Sequence, residues 1–323
     1  MGRIIYVSPR NTEPSGGIRT MYRHVQLLCR NGFDAYICHA VDGFRPKWFS
    51  GDVPFIYRSE LITPNRLKLF PDDHIVVFEM GHKIIAFFNQ YRGATRHLFC
   101  QNHFFMFDAL DGLGVKTWQE CGVTRAFASS RVIADTVKGT FSFPEVPVIP
   151  YAVDPGLFSP GPKTMQIAYM PRKRVRDVPY IRRCFALSHP AFADVPWVEI
   201  DGQSEDRVAA TLGQSAIFLS LGRREGFGLP PLEAMASGCL VVGFTGIGGR
   251  DYADQHNGMW CEEDDLWGAA LRLADAVDGI NRGSAECTAT IEAGKATAAR
   301  YTLAAMEQAL VAYWRAALAS AGG

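Results

Sequence analysis

The chain has 323 residues, 48% hydrophobic and 20% charged, with 33 Lys+Arg against 33 Asp+Glu. That length accommodates two domains, the composition excludes a disordered or fibrous polymer, and the zero net charge gives no reason to expect nucleic acid as a partner. Eight cysteines without a C-x-x-C pair read as the reduced thiols of a cytoplasmic protein.

Ile4–Val7 is a short apolar run before polar residues, which predicts a first buried strand and is too short for a signal peptide or membrane span. No later apolar run approaches membrane-spanning length. The expected location is the cytoplasm, with peripheral contact at the inner face of a membrane left open. Ile18, Met21, Val25 and Leu28 recur at helical spacing, and Asn31-Gly32 supplies the stop. Ser15-Gly16-Gly17 therefore lies between the first strand and the first helix, where backbone amides can meet a phosphate. A tight turn needs the same glycines.

Further strands are expected at Ala35–Ala40, Pro54–Arg58, His74–Glu79, His97–Asn102, Arg125–Ser130 and Val146–Tyr151, completing a sheet of six or more. Ligands sit at the strand ends of open parallel sheets, which makes Glu79, Gln101, Asn102 and His103 candidates. Between Asn102 and His103 the register is open, and a histidine there is as readily structural as catalytic. The aromatics at residues 86–91 and 103–108 read as core ahead of an acceptor groove or a membrane contact. No His or Cys pair has zinc-site spacing.

Six prolines between Pro144 and Pro162 mark a stiff linker, and the domain boundary is placed near Ser159: residues 1–158, then 159–296. The second domain opens with a strand at Thr164–Met170. Arg172, Lys173, Arg174 and Arg176 follow, a cluster suited to a diphosphate or to a solvated basic face. Residues 177–214 hold a helix, a strand at Pro196–Gly202 and a second helix.

Ala216–Gly222 is a buried strand, then comes the glycine-broken loop Glu225-Gly226-Phe227-Gly228-Leu229. Pro230-Pro231 suits the first turn of a helix, Gly238 stops it, and Cys239–Phe244 is the next strand. Gly226 and Gly228 let backbone amides approach a ligand, and the helix N-terminus favours an anion. With Glu225 and Glu233 at the mouth, the unit suits a phosphate-bearing ligand whose hydroxyls are read by carboxylates. Thr245–Tyr252 is a further glycine-rich loop. Glu262–Asp265 precedes a helix and reads as capping rather than as metal ligands. Leu303, Met306, Leu310, Tyr313 and Ala317 form the apolar stripe of a last helix, about 297–320.

The string from Glu225 to Gly238, EGFGLPPLEAMASG, resembles the E-x7-E region of retaining glycosyltransferases of the GT-B fold, family 4 in particular. The resemblance implies two doubly wound Rossmann-like α/β domains facing a cleft, with the last helix returning to the first. It implies transfer of a hexosyl or deoxyhexosyl group from a nucleotide diphosphate sugar to an acceptor hydroxyl with retention, as in polysaccharide biosynthesis. Glu225 would orient and stabilise the sugar, Glu233 would bind the ribose, and Gly226, Phe227, Gly228 and Leu229 would form the donor loop. Gly16 and Gly17 match the loop that faces the donor diphosphate, and Asn102 or His103 the residue that touches the sugar. Arg172 matches the pyrophosphate arginine, with Lys173, Arg174 or Arg176 as its partner. Here the chain departs from the pattern, with Pro171 at the glycine and no following K-G. Val153, Asp154 and Phe158 fit the inter-domain passage. No metal and no cofactor beyond the donor are expected, and a glycan or lipid-linked glycan is the expected acceptor. A GT-B epimerase, or a nucleotide-sugar-binding protein without catalysis, are the rival readings. Keeping both glutamates counts against the latter.

Overall fold

The computed structural model describes residues 2–13, 15–49, 51–63, 66–89 and 93–319. They form two compact units, residues 1–150 with 304–323 and residues 151–303.

The first unit is built on six parallel strands. Its elements run β1 (Ile4–Val7), α1 (Gly16–Arg30), β2 (Ala35–His39), β3 (Phe55–Tyr57), α2 (Arg58–Leu61), the hairpin β4 (Ile62–Thr63) and β5 (Arg66–Leu67), then β6 (His74–Phe78) and α3 (His82–Asn89). They continue with β7 (Thr95–Cys100), α4 (Asp108–Leu113), β8 (Val123–Ala128) and α5 (Arg131–Thr140). The sheet order is β3-β2-β1-β6-β7-β8. Strand β1 is apolar throughout because both faces are covered, and Ile4 lies opposite both Ala35 and His74. From β1 the chain first steps outward to β2 and β3, then returns to β6 on the other side. That reversal is the switch point at which open sheets bind ligands, and the loops after β1 and β6 flank it.

The second unit contains β9 (Thr164–Tyr169), α6 (Val178–Ser188), β10 (Trp197–Glu199), α7 (Glu205–Gln214), β11 (Ser215–Glu225), α8 (Leu229–Ala236), β12 (Leu240–Ile247), β13 (Met259–Trp260), α9 (Leu266–Asn281) and α10 (Ala285–Ala298). Its parallel order is β10-β9-β11-β12-β13. The switch point here falls between β9 and β11, so the turn after β9 and the end of β11 are neighbours.

Helix α11 (Leu303–Ala319) takes the chain back into the first unit. Met306, Leu310 and Trp314 are fully buried there. Beneath them His74 Nδ1 lies 2.9 Å from His97 Nε2, and His97 Nδ1 lies 2.5 Å from the Tyr313 hydroxyl. His24 and His39 are buried too, bonded to Tyr6 and Tyr22. The histidines crowded into the first half of the sequence are largely core.

The structure departs from the expected elements at several points. Val146–Tyr151 is no strand: one parallel bridge joins Ala128 to Val148, because Pro144, Pro147 and Pro150 offer no N–H to a ladder. The units divide at Pro150/Tyr151, before the expected Ser159. Residues 151–158 pack with the second unit, where Tyr151, Val153 and Phe158 are buried and Val153 N–H donates to Tyr301 O at 2.9 Å. Strand β11 runs on past Gly222 to Glu225, and β13 and α10 have no counterpart in the sequence reading. Of the first aromatic stretch, Phe88 is buried, while Gln90 and Tyr91 lie outside the described residues. In the second, Met106 is core and Phe104 and Phe107 are exposed. Among the described residues no helix is long and apolar enough to cross a membrane.

Candidate functional site

Strands β9 and β11 pair in parallel, with Ala168 opposite Phe218 and Tyr169 opposite Leu219. Their carboxyl ends therefore emerge side by side. Strand β9 gives way to a single 3-10 turn, Pro171–Lys173, while β11 ends on Glu225. Lys173 Nζ lies 3.9 Å from Glu225 Oε1, each side chain about a quarter exposed. Burial pushes the Glu225 carboxyl above its ordinary range, and the charges of Lys173 and Arg172 pull it back down. Arg172 itself is exposed. A recess of about 70 Å³ opens here, lined by Arg172, Lys173, Gly222, Glu225, Gly228 and Thr245 among others.

A larger cavity of about 720 Å³ lies along β13, α9 and α10. The smaller one is the candidate site, because it alone of the two combines a perturbed carboxylate, two cations and a helix N-terminus at the sheet's switch point.

Backbone strain collects around this recess. Among the described residues the non-glycines with positive φ are Arg224 (50°), Ile247 (72°) and Asp264 (66°). Arg224 precedes Glu225, and Ile247 is the register partner of Glu225 on β12. A β-branched residue in that conformation costs about 1–3 kcal/mol, a cost tolerated where surrounding contacts over-determine the shape. They do here: a Cβ on Gly248 would stand 2.4 Å from the Gly226 carbonyl carbon, so the two loops touch backbone to backbone.

The basic cluster separates into different roles. Arg174 is buried and pairs with Asp177 at 3.0 Å, Asp264 at 2.6 Å and Glu263 at 3.3 Å. It also donates to Gly222 O and covers the Phe244 ring at 4.2 Å. It is a bolt between loops, its guanidinium engaged by Asp177, Glu263 and Asp264. Arg176 is exposed. Glu263 accepts from Gly246 N–H at 2.8 Å and the Thr245 hydroxyl at 3.1 Å, so it ties the β12 loop to the same bolt. Only Asp265 of the acidic run caps α9, accepting from Gly268 N–H at 2.8 Å.

The loop at 225–229 also divides. Phe227 is buried, its ring 5.2–5.4 Å from those of Tyr151, Tyr252 and Tyr301. Its side chain is core, so only its backbone can serve a ligand. Gly228 heads α8 with φ 87°, Leu229 is the first helical residue, and Glu233 lies a turn on, buried.

In the first unit, the loops after β1, β6 and β7 come together. Glu79 is buried at the end of β6 and accepts from Gln101 N–H at 3.1 Å. Burial, against the backbone amides of Glu79, Gln101 and Asn102, raises it to about 7. Gly17 is close enough to Gln101 that a Cβ there would meet Oε1 at 2.1 Å. Gly16 and Gly17 start α1 behind Ser15, which makes no side-chain cap. Asn102 Oδ1 accepts from Phe104 N–H at 3.0 Å, capping a 3-10 turn that begins at His103. His103 Nδ1 is buried without a hydrogen-bond partner, and burial lowers its basicity. Among the described residues no three His, Cys, Asp or Glu side chains gather as a metal-holding group.

Residues 185–278, which include both Glu225 and Glu233, match the family model described as glycosyl transferases group 1. The chain is similar to an alpha-1,6-glucosyltransferase of Actinobacillus pleuropneumoniae serotype 7 (strain AP76), 27% identical over 293 residues, 86% of this chain and 84% of the relative. Among solved structures it is similar to sucrose-phosphate synthase (tll1590) from Thermosynechococcus elongatus, at TM-score 0.68 and 13% identity over 99% of this chain and 100% of the other. It is also similar to Anabaena Alr3699/HepE in complex with UDP and glucose, at TM-score 0.70 and 11% identity over 98% and 100%. The fold is the two-domain parallel α/β architecture of GT-B glycosyltransferases.

Proposed function

We propose that this chain transfers a sugar from a nucleotide diphosphate sugar to an acceptor hydroxyl, keeping the anomeric configuration. The observation that carries the reading is the juxtaposition of Glu225 and Lys173 at the ends of adjacent strands, inside a recess at the switch point, with Glu225 in the matched segment.

The chemistry follows from the charges. Breaking the glycosidic bond leaves positive charge on the sugar and negative charge on the departing diphosphate. Glu225 faces the first, orienting the sugar's hydroxyls and stabilising the developing cation. Lys173 and Arg172 face the second, together with the amide end of α8. Each such well-placed donor contributes about 2.7–4 kcal/mol. Glu233 takes the ribose hydroxyls. A leaving phosphate oxygen on the same face receives the acceptor proton, so no side chain is assigned as the base.

Glucose is the first sugar to test, because the similar bacterial protein is an alpha-1,6-glucosyltransferase. The acceptor would then present a primary hydroxyl, as the 6-position of a glucose-bearing glycan does. Incubation with UDP-, GDP- and dTDP-sugars should give donor hydrolysis with one nucleotide and, with a glycan acceptor, a product whose anomeric proton keeps the donor's configuration by NMR. No turnover of any donor, or an inverted product, would overturn the reading.

A further inference from the structure

Helix α8 begins Leu229-Pro230-Pro231 behind Gly228. A helix start ordinarily offers four free N–H groups, but prolines have none. Only Gly228 and Leu229 can donate, and neither N–H has an acceptor among the described residues. The direction of the Gly228–Leu229 peptide therefore decides much of what this helix end can do for an anion.

That peptide is held from one side. The Tyr252 hydroxyl donates to Gly228 O at 2.6 Å. Because the peptide unit is planar and trans, a carbonyl fixed on Tyr252 leaves Leu229 N–H pointing the opposite way, out of the aromatic core. The hydroxyl reaches its place through two gaps: a Cβ on Gly228 would stand 3.3 Å from it, and one on Gly249 3.2 Å. The ring cannot wander. It is buried against Phe227 and Tyr301, and Asn257 Nδ2 donates to Tyr252 O at 2.6 Å. Burial, then the nearby charge of Glu225 and Glu233, keeps the phenol protonated and so a donor.

We propose that Tyr252 is a positioning residue for the donor diphosphate: by holding the Gly228 carbonyl it aims the Leu229 amide at the phosphate. This rests on the nucleotide-sugar reading above. On that reading the bond acts through the Leu229 amide, so its loss should be felt at the phosphates.

The test is titration of the whole chain with UDP, GDP and dTDP and with the matching nucleosides, for wild type, Tyr252→Phe and Gly249→Ala. Phenylalanine keeps the ring and removes the bond, while a methyl group at 249 would stand 3.2 Å from the hydroxyl and crowd it without removing it. Tyr252→Phe should bind the diphosphate about two- to thirteenfold more weakly, the loss of roughly one neutral hydrogen bond, Gly249→Ala should lose part of that, and both should bind the nucleoside as wild type does. Unchanged diphosphate affinity in Tyr252→Phe with a thermal midpoint matching wild type would overturn the proposal. Equal losses for diphosphate and nucleoside would also overturn it, by showing general loosening. A wild type that binds none of the diphosphates would instead overturn the donor reading itself.

Discussion

Lys173 and Glu225 face each other at 3.9 Å from the ends of neighbouring parallel strands, and both remain about a quarter exposed. A pair of that exposure is worth about 0–1 kcal/mol to the fold. Its placement is better explained by a ligand than by stability, since a cation and a carboxylate at one recess can serve the two opposite charges that develop when a glycosyl phosphate breaks.

Lys173→Met should therefore leave the protein folded, with denaturant unfolding shifted by less than about 1 kcal/mol. Turnover of the donor should fall about ten- to a hundredfold, as expected for loss of one charged hydrogen bond to the leaving group. Steady-state rates beside a urea titration check both halves.

Arg174→Met should behave in the opposite way. The guanidinium is buried and joins Gly222, Glu263 and Asp264, so its loss should destabilise by about 3 kcal/mol, the lower end for a broken buried pair because Asp264 is well exposed. Donor turnover per folded molecule should change far less than in Lys173→Met.

These two neighbours show how far the sequence could be read. The strand, loop, helix and strand around EGFGLPPLEAMASG were legible because apolar runs, glycines and prolines act locally. The roles within the basic cluster were not, because Arg174 turns inward to acids ninety residues away, Asp264 among them. Phe227 sits in a loop whose neighbours invite a ligand, yet its partners Tyr151 and Tyr301 come from distant segments. Strand β11 continues to Glu225 only because Ile247 on β12 pairs with it. Tyr252 carried no local signal, since its bond spans 24 residues to a backbone oxygen. Glu79 and His103 were placed by the strand-end rule, although no pattern in the sequence reveals that Glu79 is buried under backbone amides.

The first unit should carry opposing pH dependences. Glu79 holds its proton more tightly folded, at about 7, than at its ordinary 4.5, so its favourable contribution is full below 4.5 and lost as pH rises through 7. His24 at about 3 and His39 at about 4 are lowered by burial from 6.5, so stability falls as pH drops below 6.5. Glu79→Gln should remove the first effect only. Its stability relative to wild type should rise between pH 5 and pH 8, by up to about 3 kcal/mol at 1.36 kcal/mol per pKa unit. Chemical denaturation at the two pH values gives the difference, and a gap that stays constant would show that Glu79 does not titrate there.

On the proposed function Arg172 and Lys173 supply positive charge for the leaving diphosphate, so turnover should not depend on a divalent ion. Rates in EDTA should match those in Mg²⁺ or Mn²⁺ within about twofold. Activity abolished by EDTA and restored by either ion would assign that charge elsewhere.

On the proposed function Glu225 serves the sugar and Glu233 the nucleotide, and one paired measurement separates the two roles: nucleotide affinity and single-turnover rate in Glu225→Gln and Glu233→Gln. Glu233→Gln should weaken nucleotide binding about ten- to a hundredfold, because its contact is made equally in ground and transition states. Glu225→Gln should keep nucleotide affinity near wild type and lower the rate of sugar transfer by about a hundredfold or more, because its charge matters only as the bond breaks. Transfer by Glu225→Gln at the wild-type rate would contradict the account and leave the motif a structural one.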